Sequence, residues 1–281
     1  MGWSEERSKK VAFQCFWAMN SNFIRAMTSG IGPLRDDGYE MMSHSPSRSF
    51  IEEMRSVMDA MMGEPKRWLL ATSQGTLQRG VTGQDFEGLS CAHLSGLEEG
   101  CDRRAWIESI DLVFGASLRN YYGGEYRLLS LDAYVTLPSS KEQLDGSFRW
   151  HIDDHPPGLI KGFICLDDVD ESCGPTEVLP RSLRMPLSSF VDRSANTDWR
   201  FSEDVSEKMG LEPRLLTGVA GAAYLLNANT IHRATTVNIG KRRRVISIMF
   251  LPSRISAEES WRRDGLVAIE SQPDRIFEPL W

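Results

Sequence analysis

The sequence predicts a mixed fold, mainly β with helices (α+β), in which a helical first part precedes an antiparallel sheet. Apolar residues recur at helical spacing before Gly124, short stretches with strand-like alternation follow it, and the strand–helix–strand rhythm of a parallel sheet is absent. No linker-like segment divides the chain. We therefore predict a single domain over residues 1–281, with a mainly helical portion at 1–124, a β core at 125–253 and a charged tail at 254–281.

Three helices are expected in the N-terminal portion. Their apolar residues recur at steps of three and four, as on the buried face of a helix. The three segments run from Ala12 to Met27, from Phe50 to Met62 and from Asp102 to Tyr122. Glycine follows the last two segments, at positions where a helix commonly ends. Residues 63–101 carry no clear pattern, and no element is predicted there.

The segment after Gly124 changes to strand-like patterning. Polar and apolar residues alternate over Leu128–Leu137, which places the two kinds of side chain on opposite faces of a strand. The further strand candidates are Leu159–Leu166, Thr176–Leu179, Ala222–Leu226 and Arg243–Leu251. Short strands separated by turns are typical of an antiparallel sandwich or barrel. Residues 181–220 are interpreted as a long polar insertion.

Composition excludes several classes of protein. The net charge of −7 argues against nucleic acid as a partner, because phosphate binding requires a basic surface. No apolar run approaches the roughly 20 residues of a membrane span. The five cysteines are odd in number and lack the Cys-x-x-Cys spacing, which indicates reduced thiols. We therefore expect a cytoplasmic protein that binds neither nucleic acid nor membranes.

Three residues are the candidates for a metal site. His151 and Asp153 follow the first predicted strand and its loop, and residues two apart in an extended chain point to the same side. His232 lies just past the strand candidate Ala222–Leu226. A His-x-Asp motif alone is more often an ordinary hydrogen-bonded pair. Together with His232, however, it supplies two imidazoles and one carboxylate on one face of an ion, the arrangement that non-haem iron(II) oxygenases use.

Several longer motifs resemble the phytanoyl-CoA dioxygenase family of iron(II)- and 2-oxoglutarate-dependent oxygenases. They are Trp150–Asp153, Gly162–Asp170, Cys173–Ser182, and His232 followed by Asn238, an arginine and Ile246–Phe250. The resemblance covers about residues 125–253. It implies a double-stranded β-helix core (jelly-roll, cupin-like), and it implies Fe(II) held by catalytic ligands His151, Asp153 and His232, with 2-oxoglutarate and O2 as co-substrates. One departure is Pro180-Arg181-Ser182-Leu183, where the family commonly has Pro-Gly-Ser-His.

An arginine is expected to bind the distal carboxylate of 2-oxoglutarate. Arg243 lies on the face of its strand that carries both polar and apolar residues. Arg244 lies on the other face, with Ile246, Ile248 and Phe250. The purely apolar face should pack against helices, which leaves Arg243 in the barrel interior. Arg243 also matches the family spacing from the second histidine. Tyr134 and Thr176 are further candidates for hydrogen bonds to 2-oxoglutarate, and His155 is interpreted as a loop residue rather than a ligand.

The function that follows is oxidation of a small-molecule substrate, such as a natural-product intermediate, by hydroxylation or a related outcome. It would be coupled to oxidative decarboxylation of 2-oxoglutarate to succinate and CO2. Two alternatives stay open. One is a cupin-like metal-dependent hydrolase or isomerase in which His155 joins the ligand set, and the other is a non-catalytic ligand-binding barrel. No motif specifies the substrate or the oligomeric state.

Overall fold

A computed structural model describes most of the chain. It covers residues 32–63, 68–72, 77–79, 89–94, 97, 102–138, 146–153, 158–186, 190 and 200–264. The helix predicted between Ala12 and Met27 lies outside these residues, and so does His155. None of the helices within the described ranges has both the length and the apolar character that crossing a bilayer requires.

The described residues contain six α-helices. They are α1 (Pro33–Asp36), α2 (Arg48–Met62), α3 (Arg103–Ile110), α4 (Ala116–Tyr122), α5 (Val205–Met209) and α6 (Ala257–Asp264). Helix α2 begins where the Ser47 hydroxyl accepts a hydrogen bond from the Phe50 amide, 3.2 Å away. A π-helical turn, Asp111–Gly115, joins α3 to α4, and α4 ends at Gly123, whose φ of 66° favours glycine. The second and third predicted helices are thus confirmed.

The strands form two antiparallel sheets within the described ranges. The strands are β1 (Tyr39–Met41), β2 (Trp68–Thr72), β3 (Leu77–Arg79), β4 (Leu89–Leu94), β5 (Glu125–Thr136), β6 (Ile160–Cys165), β7 (Thr176–Val178), β8 (Arg214–Leu216), β9 (Ala223–Asn227), β10 (His232–Ala234) and β11 (Arg243–Ser253). The larger sheet has the order β1-β9-β6-β11-β5-β4-β2-β3, and the smaller has the order β10-β7-β8. All five predicted strands are present, and the predicted antiparallel pairing is confirmed.

Three regions differ from the sequence-based expectation. Strands β2, β3 and β4 lie within residues 63–101, where no element was predicted, and β4 joins the larger sheet by pairing with β5. Strand β8, inside the supposed insertion at 181–220, pairs with β7. The tail begins with a helix, α6, whose Trp261 is buried in the core. In each case a pairing or packing partner that is distant in sequence stabilises an element whose own pattern is weak.

The two faces of the larger sheet bury different sets of residues. Ile246, Ile248 and Phe250 of β11 join the core that includes the helices, as the parity of the strand predicts. The other face of the sheet packs against the smaller sheet. Its buried apolar residues, with those of the smaller sheet and its loops, are Phe163, Cys165, Val169, Cys173, Val178, Leu216, Tyr224, Leu226 and Val245. The space between the two sheets is therefore where the predicted site residues meet.

Gly162 allows the helical layer to approach the larger sheet. A Cβ atom at this position would lie 2.7 Å from Phe250 Cε2 and 3.2 Å from Phe114 Cζ. We expect Gly162→Ala to lower the free energy of unfolding by about 1–3 kcal/mol, because overpacking a dense core forces its side chains from their preferred rotamers. Denaturant unfolding measures the change. The cost should shrink when Gly162→Ala is made in a Phe250→Leu background, and an equal cost in both would refute the contact.

Candidate metal centre

His151 and His232 lie opposite each other across a short antiparallel bridge. The His151 amide donates to the His232 carbonyl at 3.0 Å, and the His232 amide donates to the His151 carbonyl at 2.9 Å. Residues directly opposite in an antiparallel pair present their side chains on the same face. The two imidazole rings are accordingly adjacent, with centroids 4.3 Å apart. Backbone pairing brings together two histidines that are far apart in sequence.

Asp153 completes a set of three side chains that can hold a metal ion. One ligand atom from each of His151, Asp153 and His232 lies within 4.8 Å of the other two. Asp153 Oδ1 is 3.8 Å from His151 Nε2, and Asp153 Oδ2 is 3.6 Å from His232 Nε2. The Asp153 amide donates to the Ala228 carbonyl at 2.9 Å, which fixes the backbone that carries the carboxylate. Two imidazoles and one carboxylate thus converge on one point.

Hydrogen bonds orient both imidazoles for metal binding. The Nδ1 atom of His151 lies 2.8 Å from the Arg149 carbonyl oxygen, and Nδ1 of His232 lies 2.9 Å from the Thr230 carbonyl oxygen. Because a carbonyl oxygen only accepts, each Nδ1 carries the proton, and in the neutral ring the lone pair is on Nε2. Burial lowers the pKa of His151 to about 3 and also lowers the pKa of His232. Both rings are therefore neutral at pH 7 and able to act as ligands.

A cation–π contact lies on the opposite face of the histidine bridge. The residues next to the two histidines are Trp150 and Arg233, and the Arg233 guanidinium carbon lies 4.3 Å from the centroid of the Trp150 ring. Arg233 also donates to Glu177 and to Glu203, each at 2.6 Å. Contacts of this kind stabilise the register of the two segments that carry the imidazoles.

Arg243 is a buried cation whose hydrogen bonds are incomplete. Its residue exposure is 3%, and its two terminal nitrogens donate to Thr176 and Thr136 over 3.3 Å. The Nε atom is buried without a hydrogen-bond partner. No carboxylate forms an ion pair with Arg243 among the described residues. An arginine in such surroundings is costly unless an anion binds to it, because burial of an unpaired charge is strongly unfavourable.

The ionisable groups around Arg243 do not neutralise it. Burial raises the pKa of Cys91 to about 12 and that of Cys165 to about 11, although the nearby arginine opposes both shifts. Burial also raises the pKa of Tyr134 and of Tyr224 above its ordinary value, again against the influence of Arg243. All four groups are thus uncharged at pH 7, and the positive charge of the guanidinium is available to a ligand.

Arg244, the next residue, is in a completed ion-pair network. Its guanidinium donates to Asp167 at 2.6 and 2.9 Å and to Asp59 of α2 at 2.9 Å. The two arginines therefore point to opposite faces of β11. One is paired with acids beside the helices, and the other lies between the sheets.

The remaining predicted site residues lie close to Arg243. Thr176 contacts it and also shares a hydrogen bond of 2.8 Å with the Tyr224 hydroxyl. Tyr134 packs edge-on against Phe163, with ring centroids 6.5 Å apart. Sequence reasoning missed Thr136 and Tyr224. The position of Thr136, at the end of the alternating strand and on the polar face, was the available signal.

Strand β7 connects the metal centre to Arg243. His232 is paired with Val178, and Thr176 is two residues further along β7 on the same face. Two residues of an antiparallel strand span about 7 Å. The distance between the histidines and the guanidinium that contacts Thr176 is thus roughly the length of a small molecule. The space between the sheets thus has three candidate metal ligands at one end and the uncompensated guanidinium of Arg243 at the other.

The fold can be compared with those of known proteins. No family model matches this sequence, and a search of curated proteins finds no similar sequence. Solved structures are similar in fold. The epimerase SnoN, solved in complex with Fe3+, alpha ketoglutarate and nogalamycin RO, superimposes with a TM-score of 0.59 at 16% identity, over 83% of this chain and 85% of SnoN. The chain therefore shares the fold of SnoN.

Two further structures share this fold. The alpha ketoglutarate dependent carbocyclase SnoK from nogalamycin biosynthesis has a TM-score of 0.54 at 14% identity, over 79% of this chain and 82% of SnoK. EctD from S. alaskensis, solved with 2-oxoglutarate and 5-hydroxyectoine, has a TM-score of 0.52 at 14% identity, over 78% of this chain and 73% of EctD. Identities this low establish the fold alone. The narrower resemblance to the phytanoyl-CoA dioxygenase family stays a prediction.

Proposed function

We propose that this chain is an iron(II)- and 2-oxoglutarate-dependent oxygenase that acts on a small molecule. In this proposal its two sheets form a jelly-roll within a single catalytic domain. His151, Asp153 and His232 hold the iron, and Arg243 binds the distal carboxylate of 2-oxoglutarate, with Thr176 and Tyr134 beside it. The observation that carries the proposal is the buried, uncompensated guanidinium of Arg243 in the same inter-sheet space as the metal centre.

The donor set fits iron(II). Two neutral imidazoles and one carboxylate occupy one side of the site, and this composition with open positions is characteristic of iron(II) oxygenases. When bound, iron would activate dioxygen for oxidation of the substrate, coupled to decarboxylation of 2-oxoglutarate to succinate and CO2. The protein supplies the other requirements. The hydrogen bonds from Nδ1 keep each Nε2 lone pair directed at the site, and burial keeps both imidazoles neutral.

Arg243 distinguishes this proposal from its competitors. A planar guanidinium binds a carboxylate through two parallel hydrogen bonds, and its weak contacts to two threonines can be exchanged for such a pair. A dicarboxylate that chelates iron at one end requires a cation at the other. A cupin-like hydrolase or isomerase has no such requirement, and the extra ligand proposed for it, His155, lies outside the described residues.

The reaction is expected to serve the metabolism of small molecules. SnoN and SnoK act in nogalamycin biosynthesis, and EctD was solved with 5-hydroxyectoine. SnoN is an epimerase and SnoK is a carbocyclase, so this fold supports outcomes other than hydroxylation. By analogy of fold, we propose that the substrate here is a natural-product intermediate or a similar metabolite.

Anaerobic titration of the metal-free protein with Fe(II) and 2-oxoglutarate tests the proposal. We expect a visible metal-to-ligand charge-transfer band that requires both additions and saturates at one equivalent of iron. Succinate, which lacks the keto group, should not produce the band. A protein that binds iron and yields no band with 2-oxoglutarate would have another function. On admission of air, formation of succinate then separates an enzyme from a non-catalytic ligand-binding barrel.

A further inference from the structure

Lys161 places a charged side chain in the metal centre. It lies on β6 between Leu226 of β9 and Met249 of β11, in the middle of the larger sheet. Phe163 and Cys165 follow on the same face of β6, and both pack in the core between the two sheets. Lys161 therefore projects toward the inter-sheet space rather than toward the helices. Its side chain is only 14% exposed.

The ammonium group contacts one particular oxygen of the carboxylate ligand. Lys161 Nζ lies 2.8 Å from Asp153 Oδ2, and the Asp153 side chain is 15% exposed. Oδ1 lies 3.8 Å from His151 Nε2, and Oδ2 lies 3.6 Å from His232 Nε2, so each oxygen faces one imidazole. Oδ2 is the oxygen that also contacts the ammonium of Lys161.

We propose that Lys161 is a positioning residue that reserves Oδ2 of Asp153 and leaves one carboxylate oxygen for the metal ion. The inference rests on the proposed function. A carboxylate can bind a metal through one oxygen or through both, and binding through both would occupy a position that the co-substrates need. The ammonium of Lys161, in contact with Oδ2, opposes binding of the metal through both oxygens. Its charge also favours binding of the dianionic 2-oxoglutarate in the same space.

Lys161→Met tests this role, because methionine preserves the length of the side chain and removes the ammonium. In the variant no ammonium contacts Oδ2 of Asp153, and one positive charge is lost from the site. Iron affinity should therefore stay within a factor of about 3 of the wild type or become tighter, whereas 2-oxoglutarate should bind the iron-loaded protein about 10-fold more weakly, because the anionic co-substrate loses the attraction of one nearby positive charge. Anaerobic titration of Fe(II), followed by titration of 2-oxoglutarate, measures both.

Other roles of Lys161 predict different effects on the affinities for iron and for 2-oxoglutarate. A structural role would weaken both metal and co-substrate binding, and a role in binding the substrate would change neither. Either result overturns the proposal. Lys161→Arg retains the positive charge and should restore most of the affinity for 2-oxoglutarate. If it behaves as Lys161→Met does, the charge beside Oδ2 is not what supports co-substrate binding, and the proposal is refuted.

A remote lysine–aspartate pair provides the control. Lys208 Nζ, on α5, lies 2.9 Å from Oδ1 of Asp204, the residue that precedes this helix, and both side chains are more than half exposed. Lys208→Met should change neither affinity. Thermal unfolding of the metal-free Lys161 variants verifies that they fold. If the wild type itself fails to bind Fe(II) and 2-oxoglutarate, the proposed function fails. If the wild type binds both and Lys161→Met is unchanged, only the inference about Lys161 fails.

Discussion

Replacing His151, Asp153 or His232 with alanine is expected to abolish stoichiometric iron binding and all turnover. Each change removes one of three ligand atoms that lie within 4.8 Å of one another, and the two that remain cannot hold the ion tightly. The fold should persist, because the hydrophobic clusters supply the stability and none of the three residues belongs to them. Iron content after anaerobic loading, with circular dichroism of the same samples, measures both effects.

His44 provides a matched control for the histidine variants. It is exposed, and its ring is hydrogen-bonded to the neighbouring Ser43 hydroxyl at 3.1 Å. His44→Ala should bind iron as the wild type does. Retention of full iron affinity and turnover by Asp153→Ala would show that the carboxylate is not a ligand. Loss of secondary structure in any one variant would instead mean that the side chain supports the fold.

Arg243→Ala is expected to weaken 2-oxoglutarate binding severely while leaving iron affinity unchanged. Removing the guanidinium leaves the distal carboxylate without a charged partner in a buried space, a loss on the order of 2–5 kcal/mol. This corresponds to binding that is weaker by roughly 30-fold to several thousand-fold. The measurement is an anaerobic titration of the iron-loaded protein with 2-oxoglutarate, followed through the charge-transfer band.

Arg244→Ala is the matched control, since it removes a neighbouring arginine of similar burial from the opposite face of the strand. We expect 2-oxoglutarate affinity close to that of the wild type. The free energy of unfolding should fall by about 1–3 kcal/mol, because Asp167 loses the two hydrogen bonds that the guanidinium donates. A large loss of co-substrate affinity in Arg244→Ala, with none in Arg243→Ala, would invert the assignment. No loss in either would mean that the co-substrate is not 2-oxoglutarate.

Patterns in the sequence were sufficient to predict the features that depend on local geometry. Alternation along a strand separates Arg243 from Arg244, because successive side chains of an extended chain point to opposite faces. The same rule puts His151 and Asp153 on one side. The periodicity of apolar residues predicted α2 and the helical stretch α3–α4 for an equally local reason. These conclusions need only the covalent geometry of the chain and the position of apolar residues along it.

The contacts between distant segments could be identified in the folded structure but not in the sequence. The bridge between His151 and His232, the contact of Lys161 with Asp153, and the Trp150–Arg233 stack join segments with no shared local pattern. Strands β2 to β4 were likewise not predicted, because pairing within the sheet stabilises them rather than their own alternation. Strand β4 pairs with β5, β2 pairs with β4, and β3 pairs with β2. Pairings between distant segments depend on how the whole sheet registers and packs, and no short window of sequence contains that information.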